Sequence, residues 1–213
     1  MSFLFPRVYP ILDASQIPSV GRAEFLGQLG QSLFDAGVTL LEYRNKTGAD
    51  AELLADARTL RAVLPAGKVK LIVDDRADLV DVVGFDGAHV DAGDMPPAQA
   101  RHLLGSNRII GTSAGSEEQL AAALDSGADY IAFGPVFPTI TKQTTASPIG
   151  VEGVRRFRAL VGPGPVLVAA AGITLDTAPA ILQAGASSVA VSAAIFRCAD
   201  PAAEFRRWRT VID

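Results

Sequence analysis

The sequence contains only one cysteine, two histidines and no long apolar segment. The single thiol, Cys198, has no second cysteine with which to form an internal disulfide, so an oxidising compartment is not required. A helix that crosses a bilayer needs about 20 consecutive apolar residues, and the longest apolar runs, at 166–173 and 189–196, are much shorter. The N-terminus also lacks the basic start and apolar core of a signal peptide. These absences predict a cytoplasmic protein without a membrane partner.

An excess of positive charge is missing as well. The 213 residues carry 19 Lys and Arg against 23 Asp and Glu, which gives a net charge of −4. Broad binding of nucleic acid needs a basic surface, so we expect no nucleic-acid partner. Hydrophobic residues make up 49% of the chain, and such a composition excludes a disordered protein. We therefore predict one folded domain over residues 1–213 that acts on a small molecule; formation of a homo-oligomer is left open.

Apolar β-branched runs alternate with amphipathic helical patterns along the whole chain. The apolar runs predict strands at 8–13, 39–44, 70–75, 87–90, 108–113, 130–136, 166–170 and 188–191. The amphipathic patterns predict helices at 21–36, 50–64, 77–83, 97–104, 117–124, 151–160, 177–182 and 201–211.

Repeated strand–helix units of this kind predict parallel strands joined by right-handed crossovers. Eight such units fit a single-domain (β/α)8 barrel, the α/β fold also called a TIM barrel. The competing architecture is an open, doubly wound sheet, whose first strand normally leads into a glycine-rich turn. Here the first strand leads into Asp13, Ala14 and Ser15, so we expect the closed barrel.

Two cations follow the second strand, where the loops of such a barrel form the active site. Glu42, Arg44 and Lys46 point to the same side of the chain, because side chains alternate along a strand. Guanidinium and ammonium groups both bind phosphate oxygens, so the pair predicts a polyanionic ligand. The alternative is a simple rim salt bridge between Glu42 and Arg44.

Acidic residues follow the third and fourth strands. Asp74 and Asp75 end the third strand, and Asp94 comes after the fourth. Carboxylates at neighbouring strand ends could share a Mg²⁺ ion, which prefers a few carboxylates, waters and substrate phosphates. Alternatively, Asp75 or Asp94 caps the helix that follows it. Because these acids occur together with Arg44 and Lys46, the combination favours a site for a metal ion and a diphosphate.

The loops after the last three strands predict further phosphate contacts. The loop from Gly134 to Gly150 is long and rich in hydroxyl groups, and it carries a single lysine, Lys142. It can offer donors and one charge to phosphates and can close as a lid, or it is merely a solvated loop. Gly172 lets the backbone approach an oxyanion closely, unless it only relieves crowding. His89, inside the fourth strand, could be either a core or a rim residue.

With these residues in view, the whole chain resembles the thiamine phosphate synthase family. The motifs that carry the resemblance are Tyr-x-Ile-x-Asp at 9–13, Arg44-Asn45-Lys46, Asp75-Arg76, Gly-Ala-His-Val at 87–90 with Asp94, Ile-Gly-Thr-Ser at 110–113, Gly-Ala-Asp-Tyr-Ile at 127–131, the loop from Gly134 to Lys142, and Gly172-Ile173. The resemblance spans all eight predicted units, and the loop after the sixth strand is its most specific part.

The resemblance implies a transferase that joins the diphosphate of 4-amino-5-hydroxymethyl-2-methylpyrimidine to a thiazole phosphate and releases pyrophosphate. The residues implied to bind the pyrimidine diphosphate are Glu42, Arg44, Lys46, Asp74, Ser113 and Lys142. Among them, the catalytic groups are Arg44, Lys46 and Lys142. The implied ligands of Mg²⁺, the cofactor, are Asp75 and Asp94. The residues implied to bind the thiazole phosphate are Thr139, Thr141, Gly172, Val191 and Ser192.

The chain departs from the family pattern at three positions. The family usually has Gln in place of Glu42, Asn in place of Asp74, and Gly in place of Ala171. Carboxylates in place of amides remove hydrogen-bond donors and add negative charge beside a diphosphate. Either the amino group of the pyrimidine donates to these acids, or the substrate differs.

Two other functions remain open. Thiazole tautomerases of the same fold typically carry a histidine two residues after the serine that ends the fifth strand, and that position is Gly115 here. The expected acid–base group is therefore missing. The other alternative is a non-catalytic protein that binds a phosphorylated ligand. Such a protein has no need of a metal-assisted leaving group, so the joint presence of the predicted cations and metal ligands argues against it.

Overall fold

Eight parallel strands form a closed barrel. The computed structural model describes residues 4–91, 93–139 and 146–213. Each strand pairs with the next, and the last pairs with the first. The strands are β1 (Val8–Asp13), β2 (Leu40–Arg44), β3 (Lys70–Asp74), β4 (Gly87–Val90), β5 (Ile109–Ala114), β6 (Tyr130–Phe133), β7 (Val166–Ala170) and β8 (Ser188–Val191).

Helices surround the barrel. The α-helices of the described residues are α1 (Arg22–Asp35), α2 (Asp50–Val63), α3 (Val80–Val83), α4 (Pro97–Leu104), α5 (Glu117–Leu124), α6 (Gly150–Val161), α7 (Ala178–Gln183), α8 (Ala193–Phe196) and α9 (Pro201–Ile212). Short 3₁₀ turns occupy Ala14–Gln16 and Ala77–Leu79. The single-domain (β/α)8 fold predicted from the sequence is confirmed. Within the described residues, no helix combines the length and the apolar character that a bilayer crossing requires.

The core has two parts because both faces of each strand are covered. Outward side chains such as Leu41 and Leu71 pack against the helices. Inward side chains, among them Leu40 and Ile72, fill the lower part of the barrel. Since inward and outward positions alternate along β2, the burial of Leu40 inside the barrel also directs Glu42 inward, above it.

Some element boundaries differ from the sequence prediction. β6 ends at Phe133 instead of at residue 136, because Pro135 has no N–H to donate to a strand ladder. The chain nevertheless continues beside β7, where the Val136 N–H donates to the Ala170 carbonyl at 2.9 Å. The helix α8 was not predicted, because four residues are too few to show a helical period.

Candidate active site

A cavity of about 390 Å³ opens at the C-terminal ends of the strands. Cavities of a few hundred Å³ with a few polar groups are typical of sites for small ligands. The predicted site residues that line it are Glu42, Arg44, Asp74, Ser113, Thr139, Gly172, Val191 and Ser192. Thr141 and Lys142 lie outside the described residues. These eight residues, which come from different strands, therefore lie around one cavity at one end of the barrel, and their roles in binding stay predictions.

Arg44 bridges its two neighbouring strands. Its guanidinium pairs with Asp13, which lies directly beside it in the register of β1 and β2, and its Nε lies 3.4 Å from Asp74 Oδ2. Burial acts to raise the pKa of Asp13, but hydrogen bonds from Ser15 and Arg44 hold that pKa below its ordinary value. Arg44 thus pairs with Asp13 and Asp74, and the alternative of a salt bridge with Glu42 is wrong.

Lys46 lies at the rim beside Asp74, the last residue of β3, and Asp75, which follows it. Its Nζ is 3.2 Å from Asp74 Oδ2, and it also pairs with Asp75. Burial acts to lower the pKa of Lys46, but the two carboxylates raise it above its ordinary value. Asp74 is only 6% exposed, and burial raises its pKa although Lys46 and Arg44 oppose the shift. The two cations therefore meet at one buried carboxylate.

Asp75 and Asp94, the predicted metal ligands, face each other. Partial desolvation of this exposed side chain and the nearby Asp75 carboxyl raise the pKa of Asp94. The backbone of Asp75 is left-handed, with φ 64°, and its N–H donates to the His89 carbonyl at 2.7 Å. Neither acid caps a helix, because Arg76 and Pro96 occupy the cap positions and make no side-chain cap bond. The capping alternative is wrong.

This pair of acids suits a magnesium ion. Asp75 Oδ1 is buried and makes no hydrogen bond within the described residues, so an acceptor there is left for another partner. Mg²⁺ usually takes one or two carboxylates and completes its shell with waters and phosphate oxygens. Across residues 4–91, 93–139 and 146–213 there is no group of three or more His, Cys, Asp or Glu side chains that could hold a metal ion. Binding of Mg²⁺ by Asp75 and Asp94 therefore stays a prediction.

A chain of buried hydrogen bonds forms the floor of the cavity. The Tyr9 hydroxyl donates to Glu42 Oε2 at 2.6 Å and lies 2.7 Å from the Tyr130 hydroxyl. His89 continues the chain, with Nδ1 3.0 Å from Tyr130 Oη and Nε2 2.8 Å from Ser113 Oγ. The chain therefore joins Glu42 of β2 to Ser113 of β5.

Burial controls the protonation of this floor. It raises the pKa of Glu42 to about 7; His89 acts against the shift and Asp74 adds to it. Burial acts to lower the pKa of His89, but the hydrogen bond to Asp91 and the charge of Glu42 raise that pKa above its ordinary value. The pKa values of Tyr9 and Tyr130 lie well above the ordinary value, mainly because both are buried. Glu42 and His89 therefore compete for one proton near neutral pH.

The sequence prediction did not find this floor. Tyr9 and Tyr130 entered it only as letters of motifs, and His89 was left undecided between core and rim. A usable signal existed, because these residues and Glu42 occupy inward positions of four strands. Gly111 leaves room for the ring of Tyr130 on this floor, because a side chain at Gly111 would collide with that ring.

The end of β7 and the start of α8 form the other side of the cavity. Gly172 has φ 69°, and a Cβ atom there would lie 2.5 Å from the Pro138 carbonyl oxygen. Gly172 therefore does relieve crowding, as one alternative predicted. Its role in binding phosphate stays a prediction. Ser192 lies at the entrance to α8, where its Oγ accepts a hydrogen bond from Gln16 Nε2 at 3.0 Å.

The fold and the site together define a barrel whose loop end presents cations and paired carboxylates to a small ligand. The model of the thiamine monophosphate synthase family matches residues 8–195. Two similar proteins are the thiamine-phosphate synthases of Koribacter versatilis, 40% identical over 88% of each chain, and of Agrobacterium fabrum, 39% identical over 95% of this chain and 90% of the other. The chain belongs to the thiamine monophosphate synthase family.

A solved structure shows the same architecture. The thiamine phosphate pyrophosphorylase from Pyrococcus furiosus superposes with a TM-score of 0.81 at 28% identity. The match covers 96% of this chain and 95% of that protein. The likeness therefore extends over the complete barrel, including all eight strand ends at which the candidate site lies.

Proposed function

We propose that this protein is an alkyl transferase of thiamine biosynthesis. It joins 4-amino-2-methyl-5-(diphosphooxymethyl)pyrimidine to a thiazole phosphate and releases pyrophosphate, which is the activity of a thiamine phosphate synthase. The observation that carries the proposal is the meeting of Arg44 and Lys46 at Asp74, which ends β3 and lines the cavity together with Arg44. Membership of the family supports the same function.

The diphosphate would bind at the ends of β2 and β3. Arg44 and Lys46 supply positive charge there, and Lys142 is proposed as a third cation. The Asp74 carboxylate lies between the first two cations, since its Oδ2 is 3.4 Å from Arg44 Nε and 3.2 Å from Lys46 Nζ. Ser113 and Glu42, on the floor of the same cavity, complete the contacts of the pyrimidine diphosphate.

The thiazole phosphate would bind on the opposite side of the cavity. Its proposed contacts are Thr139, Thr141, Gly172, Val191 and Ser192, of which the four in the described residues line the same cavity. Two substrates on opposite sides of one cavity are held with their reacting atoms close together. Such positioning supplies the entropic part of a rate gain.

Asp75 and Asp94 would hold Mg²⁺. When bound, the ion neutralises negative charge on the diphosphate oxygens. The facing carboxyl groups and the buried Asp75 Oδ1 support this assignment. A second argument is that Mg²⁺ sites commonly combine protein carboxylates with substrate phosphates, and the proposed substrate brings a diphosphate to the same rim.

No nucleophile of the protein is required for this reaction. The carbon–oxygen bond to the diphosphate breaks, and the electron-rich aminopyrimidine stabilises the cation that remains. The thiazole nitrogen then forms the new carbon–nitrogen bond. Arg44 and Lys46 act on the leaving group, because fixed charges stabilise the negative charge that develops there. A cytoplasmic location and a homo-oligomeric state remain predictions.

The test is a product assay with purified protein, both substrates and Mg²⁺. We expect thiamine phosphate and pyrophosphate in equal amounts, and none when either substrate is omitted. Absence of product at high enzyme concentration would overturn the synthase function. Conversion of the thiazole phosphate to another tautomer would then indicate a tautomerase, and binding without any turnover would indicate a non-catalytic protein.

A further inference from the structure

The hydrogen bonds on the cavity floor have few ways to be arranged. Four links connect Glu42, Tyr9, Tyr130, His89 and Ser113, with heavy-atom separations of 2.6, 2.7, 3.0 and 2.8 Å. All four lie in the range of good hydrogen bonds. Each hydroxyl has one proton, and a neutral imidazole has one N–H. The direction of the first bond therefore determines the direction of the others.

When Glu42 is ionised, the donor of each of the four hydrogen bonds points toward Glu42. The carboxylate can only accept, so Tyr9 donates to it and must accept from Tyr130. Tyr130 then accepts from the Nδ1–H of His89. The Nε2 atom of His89 is left as an acceptor, and it takes the proton of the Ser113 hydroxyl. In this arrangement the Ser113 oxygen has only lone pairs to offer to a ligand.

A protonated Glu42 that donates to Tyr9 reverses every bond. Tyr9 then donates to Tyr130, and Tyr130 donates to Nδ1 of His89. The imidazole proton is now on Nε2 and points to the Ser113 oxygen. The hydroxyl proton of Ser113 is thereby released for a ligand acceptor, such as a phosphate oxygen.

We propose that Glu42 decides whether the Ser113 hydroxyl donates to or accepts from the ligand, and that Tyr9, Tyr130 and His89 are the positioning residues that transmit this choice. The inference depends on the proposed function only in placing a diphosphate at Ser113. The two arrangements differ by one proton. When a proton enters at Ser113 Oγ, the serine proton moves to Nε2 and the Nδ1 proton to Tyr130. Tyr130 passes its own proton to Tyr9, and Tyr9 protonates Glu42.

The surroundings of Glu42 place this exchange near neutral pH. Burial raises its pKa to about 7, so the carboxyl is protonated below that value and ionised above it. The titratable and charged groups that act on it from the barrel strands are Tyr9 of β1, Arg44 of β2, Asp74 of β3, His89 of β4 and Tyr130 of β6. Asp91, which follows β4, acts on His89, because its Oδ1 lies 3.5 Å from Nε2. Asp91 and Glu42 raise the pKa of His89, so the state that competes with the two arrangements is an ionised Glu42 together with an imidazolium at His89. A desolvated site disfavours that pair of buried charges.

Nitrogen-15 NMR of the imidazole tests the proposal directly. The chain has two histidines, and His102 is exposed on α4, so H102Q leaves His89 as the single signal. We expect the Nδ1–H tautomer above pH 8 and the Nε2–H tautomer below pH 6. A tautomer that does not change with pH, or an imidazole that carries protons on both nitrogens below pH 7, would overturn the proposal.

Variants in the same H102Q background test whether Glu42 controls the tautomer of His89 through the two tyrosines. E42Q removes the titrating carboxyl, and Y130F removes only the middle hydroxyl; in either, the tautomer should no longer respond to pH. Y43F is the matched control, because the Tyr43 hydroxyl is also buried but donates to Asp56 at 2.5 Å outside the chain of bonds. It should keep the parent's response. A response that survives in both E42Q and Y130F contradicts the proposal, and the NMR result does not depend on synthase activity.

Discussion

Lys46 spans the two consecutive acids at the end of β3, with its Nζ 3.2 Å from Asp74 Oδ2 and paired also with Asp75. The Nε atom of Arg44 approaches the same Asp74 oxygen at 3.4 Å. Hydrogen bonds to Asp13 and Asp75 orient Arg44 and Lys46, and the buried Asp74 carboxylate lies between the two cations. Groups that are already oriented stabilise developing charge without the cost of reorganisation.

The first prediction concerns the charge of Arg44. R44Q should lower kcat/KM by about 100-fold or more, because removal of one donor that stabilises developing charge typically costs a factor of 10² to 10³. R207Q is the matched control, since Arg207 is 68% exposed on α9 and pairs with Glu204. Steady-state kinetics with both substrates provide the measurement. Equal activity of R44Q and R207Q would exclude Arg44 from the site.

The second prediction separates metal binding from stability. D94N should raise the Mg²⁺ concentration for half-maximal activity about tenfold or more, because even the outer partners of a metal site contribute 10- to 100-fold in affinity. Asp94 is exposed and caps no helix, so thermal unfolding should change little.

D78N is the control for this experiment, since Asp78 is an exposed acid near the same rim that pairs with Arg76. It should leave the Mg²⁺ dependence unchanged. If D94N loses stability but keeps the Mg²⁺ dependence of the parent, Asp94 is structural.

The sequence predicted the barrel well because its signal is repeated in every unit. β3 and β7 are fully apolar apart from their ends, and each is followed by a helical pattern, so parallel pairing follows from local patterns alone. The boundary of β6 could not be predicted as easily. There the loss of one N–H donor at Pro135 outweighs the apolar run that continues to Val136.

The candidate site was predicted where residues of one charge occur at the strand ends, as at Arg44 and Lys46. The partners of these cations were not predicted, because the contact of Arg44 with Asp13 depends on the register between β1 and β2. The floor of the cavity was missed for a related reason. Tyr9 and Tyr130 are 121 residues apart, and only closure of the barrel brings their hydroxyls together.

The third prediction follows from the raised pKa of Glu42. Its value rises from 4.5 to about 7 in the folded protein, so the folded state binds more protons than the unfolded state between these pH values. Stability attributable to this carboxyl is complete below pH 4.5 and is lost as pH rises through 7, by up to about 3 kcal/mol.

Urea unfolding of E42Q and the parent at pH 5 and pH 8 measures the effect. The variant has no titrating carboxyl at this position. Its free energy of unfolding relative to that of the parent should therefore be higher at pH 8 than at pH 5. A difference in free energy of unfolding that is the same at both pH values would show that Glu42 titrates normally.

The fourth prediction tests the two departures from the family pattern in which a carboxylate replaces an amide, Glu42 and Asp74. The double variant E42Q/D74N restores the amides that the family usually has. If the acids accept hydrogen bonds from the amino group of the pyrimidine, the variant should preserve or improve turnover, because it removes negative charge beside the diphosphate. If the acids select another substrate, synthase activity should rise from almost none. A large loss of activity would contradict both explanations and give the acids a catalytic role.

The last prediction concerns the left-handed pair Ala171 and Gly172, with φ of 73° and 69°. G172A should destabilise the protein by about 2 kcal/mol or more, because a left-handed alanine costs about 1–2 kcal/mol and its Cβ would lie 2.5 Å from the Pro138 carbonyl oxygen. A171G should stay within about 1 kcal/mol of the parent, because relief of strain offsets the entropy of glycine. If Gly172 also lets its backbone approach the thiazole phosphate, G172A raises KM for that substrate and leaves KM for the pyrimidine diphosphate unchanged. An equal rise for both substrates would reduce the role of Gly172 to the packing of the loop after β6.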